Sequence, residues 1–227
     1  MSINQETLQD SPQENFLVII NSARSQLYKI LSKGFLYPQD ETISYFADGV
    51  GNLISSISLS LPFNLKDTLE TLRRESENLK LTELEELQAE YVRLFDYKPC
   101  CYITEAAYRE HKALGDSTLE VNCFYRNAGL QVVMLEFPDH LGIELEFMHY
   151  LSYLATEAKE YKDTMENLAT QLSFLEQHLS AWAPSLCLSI QAKTKSKFYK
   201  ALADVGRQFI DLDYRYIKEI SGALETH

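Results

Sequence analysis

Carboxylates, histidines and tyrosines set among apolar residues are the groups in this chain with chemistry to offer. The segment Glu146-Phe-Met-His149 is an E-x-x-H pair, which puts a Glu and a His on one helical face, as di-iron carboxylate bundles do to hold one metal. Such a centre needs a second E-x-x-H and two further glutamates. His111 and His178 are preceded three residues earlier by Tyr108 and Leu175, so a solvated Glu/His pair is the preferred reading and no metal is assigned. Glu83, Glu85, Glu86 and Glu90 read as a hydrated helix face that compensates an N-terminal dipole. His140 and Glu144 fall one turn apart on one face, and Asp139 and Glu146 on another. On spacing alone, Pro138 and Asp139 start a helix, the Asp satisfies free backbone N–H groups, and His140 and Glu144 form a surface pair. The competing reading makes this acid-flanked helix start a set of polar anchors for a peptide segment.

The common catalytic and nucleotide motifs are missing. There is no G-x-x-x-x-G-K-[ST] loop, no H-E-x-x-H and no G-x-S-x-G, and Gly49-Val-Gly51 is not completed by a third glycine. The formal net charge of −12 disfavours nucleic acid and anionic membrane surfaces and suits a basic partner. The start of the chain has no basic n-region, and the apolar run Phe16 to Ile20 is too short for a signal h-region or a span, so a cytoplasmic protein without stable membrane insertion is expected. Cys100, Cys101, Cys123 and Cys187 include no C-x-x-C pair, and free thiols are the default.

The elements that must position these groups are helical. Glycine is scarce and no long alternation of apolar and polar residues occurs, so the expected fold class is all-α, a single-domain bundle of about eight or more helices. Ser11-Pro12-Gln13-Glu14 is a capping box for a first helix ending near Gly34. A second, capped by Asp40 and weak at Gly49 and Gly51, and a third after Asn64 follow. Thr82-Glu-Leu-Glu85 and Ser117-Thr-Leu-Glu120 read as two more capping boxes, with Gly129 stopping the second of these helices. Between them, residues 96–115 form a long irregular loop with a helical turn or two around Glu105 to Ala113. Pro138-Asp139 opens the longest continuous apolar helix, and Ala183-Pro-Ser185 is expected to break the last two amphipathic helices apart. The single domain is placed at residues 11–221, between a disordered start at 1–10 and a frayed end at 222–227.

Pro138-Asp-His-Leu-Gly-Ile-Glu-Leu-Glu-Phe-Met148 resembles the P-D-H-L-x-x-E-L-E-F-M signature of the TorD/DmsD/NarJ redox enzyme maturation chaperones. Tyr91-Val-Arg-Leu-Phe95 resembles that family's Y-x-x-L-F, and Pro99 and Tyr102 fall where its loop carries a proline and a tyrosine. The resemblance implies an all-helical protein that is not an enzyme and needs no cofactor. It implies a protein that binds the twin-arginine signal peptide, or the folded core, of a molybdopterin-containing oxidoreductase subunit and delays export until the cofactor is inserted. Carried over by position, Pro138, Asp139 and His140, with Glu144, are the implied peptide-binding hinge, and Tyr91, Leu94, Phe95 and Tyr102 line or shape the groove. Asp96-Tyr97-Lys98 replaces the family's glycine-proline, and Cys100-Cys101 stands where a serine is common. Phe95-Asp96 leans toward the NarJ branch and His140 toward TorD/DmsD. A monomer and a helix-exchanged dimer are both compatible with long helices joined by a hinge. The two competing classes are a di-iron bundle enzyme and a non-catalytic helical interaction module.

Overall fold

The structure, a computed structural model, describes residues 12–133, 136–158 and 161–225. The expected N-terminal tail, and Ser11 of the first capping box, lie outside these. Among the described residues every regular element is a helix. They are α1 (Pro12–Phe35), α2 (Asp40–Ser44), α3 (Val50–Ser60), α4 (Lys66–Glu77), α5 (Leu84–Phe95), α6 (Glu105–Arg109), α7 (Asp116–Asn127), α8 (Leu141–Glu157), α9 (Tyr161–Phe174), α10 (Ser180–Lys193) and α11 (Lys197–Glu225). Wide π turns at Tyr45–Gly49 and Leu175–Leu179 join α2 to α3 and α9 to α10 as continuous rods. One apolar core runs through the bundle, with Trp182, Tyr28, Tyr199, Phe35, Phe46, Phe174 and Phe209 fully buried in it.

The longest packing seam joins α1 to α8. The two run antiparallel, since Ser25 bonds His149 while Leu36 packs on Gly142. At Gly142 an added Cβ would come within 2.9 Å of Leu36, so a larger residue would push α8 away from α1. At the middle of the bundle Arg24 of α1, fully buried, donates to both oxygens of Asp213 on α11 at 2.5 and 2.9 Å and to Gln171 of α9 at 2.7 Å. Tyr28 adds a hydrogen bond to the same carboxylate at 2.7 Å. Three helices are thereby tied at one satisfied charge pair, which fixes their register.

Several boundaries differ from expectation. Pro184 does not break the chain: it sits inside α10, and the break falls at Thr194–Ser196. The π turn just upstream already loosens the hydrogen-bond ladder, and Trp182, Ala183 and Leu186 bury the surrounding turn, so packing overrides the proline's preference. Both internal capping boxes fall two residues earlier than their sequence signatures. The Lys80 N–H donates to Glu83, and the Gly115 N–H to Thr118. For α7 the reason is Glu110, whose carboxylate takes the N–H groups of Asp116 and Ser117 and the Ser117 hydroxyl, so a side chain from the preceding loop caps this helix. Helix α2 starts at Asp40 with Gln39 as its cap residue, and Asn64 accepts from the Lys66 N–H at the start of α4. Gly129 ends α7 with φ +75, in the left-handed region.

Helix α8 begins at Leu141 and its cap is His140, whose Nδ1 accepts the Gly142 N–H at 3.0 Å. Asp139 was expected in that role. Its carboxylate instead accepts the Ala106 N–H at 2.8 Å and so caps the neighbouring α6. As described, α11 continues to Glu225.

Candidate functional site

Tyr91 and Phe95 lie one turn apart on α5, and their rings meet edge to face at 4.9 Å. Beyond Phe95 the chain turns sharply, with Lys98 at φ +51, and returns as Cys101 donates its N–H to Leu94 O. Residues 103–105 then pair with 139–141: Leu141 N–H bonds Ile103 O, Glu105 N–H bonds Asp139 O, and Thr104 and His140 form an isolated antiparallel bridge. This short pairing holds the loop after α5 against the segment before α8. Between them opens a cleft of about 430 Å³, whose walls include Tyr37, Tyr91, Phe95, Tyr102, Phe137 and His140. Asp96 and Glu136 stand at its rim.

The polarity of the cleft follows from its hydrogen bonds. Because His140 Nδ1 accepts the Gly142 N–H, the neutral ring carries its proton on Nε2, which donates to Tyr91 Oη at 3.1 Å. Burial lowers the His140 pKa to about 4, so it is neutral near pH 7 and its 3.9 Å approach to Glu136 is not an ion pair there. Burial first, and the like charge of Asp96 second, raise the Glu136 pKa. Burial and the same two acids push the Tyr91 hydroxyl up as well. Among the described residues no Lys or Arg lies within ion-pair distance of Asp96 or Glu136. Two carboxylates without a Lys or Arg partner, set beside five aromatic rings, make a surface whose chemistry suits a positively charged group with apolar surroundings.

Of the eight residues expected at the site, Tyr91, Phe95, Tyr102 and His140 meet in this cleft. Pro138 lines the adjoining polar hollow, and its carbonyl accepts from Tyr125 at 2.9 Å. Leu94 is in the core, so of the two expected parts, lining or shaping the groove, only shaping is open to it. Asp139 and Glu144 are fully buried behind the cleft, so the expected His140/Glu144 surface pair does not form. Trp182 Nε1 donates to Glu144 Oε2 at 3.1 Å and His178 Nδ1 bonds Glu105 Oε2 at 2.9 Å, with Arg109 on the other Glu105 oxygen. Burial, then the charge of Glu105, hold the Glu144 pKa well above the ordinary carboxylate range. A neutral Glu144 resolves the crowding of three acids, Asp139, Glu105 and Glu144, in one dry centre. These residues position the cleft wall rather than line it.

Sequence reasoning passed over Tyr37, Glu136 and Phe137 and treated Asp96 only as a departure from a pattern. The available signal was an acid directly beside an aromatic on each side of the loop: Phe95-Asp96 and Glu136-Phe137. Of the E-x-x-H pair, Glu146 is exposed, while His149 is partly buried and bonded to Ser25, its Nδ1 lying 3.0 Å from the Ser25 carbonyl. Glu90 does more than hydrate a surface. Against partial burial, Arg93, the Lys195 N–H and Thr194 hold its pKa down at about 2, which fastens α5 to the α10–α11 connection. Among the described residues no group of three or more His, Cys, Asp or Glu is placed to hold a metal ion. None of the described helices is long and apolar enough to cross a membrane.

Comparison with known proteins gives one direction. A perchlorate reductase assembly chaperone protein from Dechloromonas aromatica is 31% identical over 202 residues, covering 83% of this chain and 87% of that one. The chaperone protein TorD of Vibrio cholerae is 26% identical over 220 residues, covering 93% and 98%. A crystal structure from Archaeoglobus fulgidus, described as a redox enzyme maturation protein, shares the fold with a TM-score of 0.55 at 19% identity, over 92% of this chain and 99% of that one. The model of the nitrate reductase delta subunit family matches residues 60–188. With a family model over more than half its length and named chaperones, not catalysts, among its relatives, this all-helical chain belongs to the nitrate reductase delta subunit (TorD/NarJ) family of redox enzyme maturation chaperones.

Proposed function

We propose that this protein acts in the cytoplasm as the dedicated chaperone of a molybdopterin-containing oxidoreductase subunit. In this reading its cleft takes the twin-arginine signal peptide of that subunit's precursor and delays export until the cofactor is in place. The observation that carries the reading is the pair Asp96 and Glu136, without a Lys or Arg ion-pair partner among the described residues and both lining a cleft walled by aromatic rings.

A guanidinium entering the cleft relieves the repulsion between these two acids, and its planar donors match a carboxylate edge. Tyr37, Tyr102 and Phe137 offer ring faces to the same cation, worth about 0.5–2 kcal/mol each when well placed. His140 stays neutral, so it adds no opposing charge, and it holds the Tyr91 hydroxyl in place. Asp139 acts from behind by holding residues 105 and 106 against the segment before α8, while Pro138 is bonded through its carbonyl to Tyr125 and Glu144 through its carboxyl to Trp182. The protein's part is binding and shielding, and no step needs a metal or cofactor of its own.

The test is a binding titration with a synthetic signal peptide carrying an arginine pair, against the same peptide with both arginines changed to Gln. The arginine peptide is expected to bind, and the Gln peptide to bind at least tenfold more weakly. Glu136→Gln and Asp96→Asn should each weaken the arginine peptide about tenfold, or ~1.4 kcal/mol. Equal binding of the two peptides would remove the cleft from the proposal. Purification with close to two irons per chain would favour the di-iron class instead.

A further inference from the structure

The loop that leaves α5 for the cleft carries two adjacent thiols, Cys100 and Cys101, for which the binding site has no use. Cys100 is half-buried, Cys101 is 3% exposed, and both are free. The Cys100 sulfur sits beside a cation: Arg93 Nη1 donates to it at 3.5 Å, while the thiol donates to the Arg93 carbonyl at 3.1 Å. A second cation, Lys193, donates to the Cys100 carbonyl. Positive charge beside a partly accessible sulfur favours the thiolate, the form that attacks an oxidant. The other cysteines each lack one of these conditions. Burial raises the Cys101 pKa and pushes that of Cys187 up to about 12, so neither reacts first. Cys123 is exposed, but among the described residues no Lys or Arg donates to its sulfur.

The peptide group between the two cysteines is also what holds the loop. Its C=O accepts from Lys193 at the end of α10, and its N–H, that of Cys101, donates to Leu94 O of α5 at 2.9 Å. The next three residues, Tyr102, Ile103 and Thr104, line the cleft, and Ile103 O accepts the Leu141 N–H in the short pairing with the segment before α8. Adjacent Cα atoms lie about 3.8 Å apart, closer than the roughly 4.4–6.8 Å usual across a disulfide, so a bond between these two sulfurs turns that peptide out of place. Both of its hydrogen bonds are then lost.

We infer that Cys100 and Cys101 are a dithiol pair oxidised by peroxide, and that their disulfide releases the loop wall of the cleft. The Cys100 thiolate attacks one oxygen of hydrogen peroxide and the O–O bond breaks. Cys100 becomes a sulfenic acid, and the departing hydroxide takes the thiol's proton to leave as water. The Cys101 thiol then attacks that sulfur: the S–S bond forms, the S–O bond breaks, and a second water leaves with the Cys101 proton. Two thiols and one peroxide thus give one disulfide and two waters. The strain that turns the peptide also makes the bond easy to reduce, so a thiol reductant restores the loop. The thiol chemistry stands on its own geometry, and only its effect on peptide binding rests on the proposed reading of the cleft.

The experiment treats the full, reduced chain with hydrogen peroxide, blocks the remaining thiols and maps the product by mass spectrometry. The peptide carrying Cys100 and Cys101 should lose two hydrogens, and regain them with dithiothreitol, before Cys123 or Cys187 gains oxygen. Cys101→Ser should stop at a Cys100 sulfenic acid that dimedone traps, and Cys100→Ser should react at Cys101 roughly tenfold more slowly. Oxidation should speed hydrogen exchange across residues 96–104. The oxidised wild type should bind the arginine-pair peptide about tenfold more weakly than the reduced protein, whereas Cys100→Ser, checked for an unchanged melting temperature, should keep its affinity through the treatment. Cys123 reacting first, or a disulfide that joins two chains, overturns the pair. Unchanged exchange at 96–104 or undiminished peptide affinity in the oxidised wild type overturns the release of the loop, while the cleft reading stands if the Gln peptide still binds more weakly than the arginine peptide. If the reduced protein does not distinguish those two peptides, the cleft reading fails, and the mass and exchange results still decide whether the pair forms and frees the loop.

Discussion

Glu144 shows how a residue can matter to a binding site without touching its ligand. It is fully buried one turn along α8 from His140, accepts from Trp182, and is held well above the ordinary carboxylate range by burial and by Glu105. In the folded protein it keeps a proton that the unfolded chain has released above about pH 4.5, so the folded state binds more protons and stability falls as pH rises. Glu144→Gln keeps the shape and removes the titration. The variant should therefore show a flatter loss of unfolding free energy between pH 5 and 8, by up to ~1.4 kcal/mol per pH unit, when both proteins are unfolded in urea. Parallel pH curves would mean that Glu144 is ionised in the fold. His140 contributes with the opposite sign. Its lowered pKa makes its contribution complete above about 6.5 and lost as pH falls toward 4, so the comparison is read as the difference between the two proteins. At this scale Tyr91, Phe95, Tyr102 and His140, which share the cleft, were legible through the resemblance to the family's Y-x-x-L-F, loop tyrosine and P-D-H patterns. Asp96, Glu136 and the burial of Glu144 were not, since only the pairing of 103–105 with 139–141 decides which of these side chains faces the cleft.

Helices were easier to read than their ends. Their existence follows from apolar periodicity: at spacings of three and four, Ile20, Ala23, Leu27, Ile30 and Leu31 of α1 and Phe198, Leu202, Val205 and Phe209 of α11 are buried, although Phe16 of α1 is exposed. Their ends depend on side chains from elsewhere in sequence, as when Glu110 caps α7 and Asp139 caps α6, and no local box records that. Pro184 carries the same lesson, because a π turn and a buried face let α10 run through a residue that usually ends a helix. The buried Arg24–Asp213 pair, which joins α1 and α11 with Gln171 of α9, gives an element-scale test. Asp213→Asn leaves a fully buried guanidinium without its countercharge and should cost about 3–5 kcal/mol in urea unfolding, with little change in the denaturant slope. A loss below 1 kcal/mol would mean that water reaches Arg24 and that the three helices are held by apolar packing alone.

For the whole molecule, the net charge of −12, the single core and the family membership fit a protein that acts by holding another. The acids that matter are few. Most lie on solvated faces, whereas Asp96 and Glu136 line a cleft beside aromatic rings, so on the proposed reading client binding should weaken as salt screens them. A twofold or smaller change in affinity between 50 mM and 500 mM salt would argue for an apolar contact alone. The most direct measurement of the central claim is affinity purification of the tagged protein from its native cells, with the co-purifying proteins identified by mass spectrometry. The precursor of a molybdenum oxidoreductase subunit, its signal peptide uncleaved, should come down with the wild type and be largely lost with an Asp96→Asn, Glu136→Gln double variant that melts at the wild-type temperature. Recovery of that precursor in equal amounts with both proteins, or of no oxidoreductase subunit with either, would contradict it.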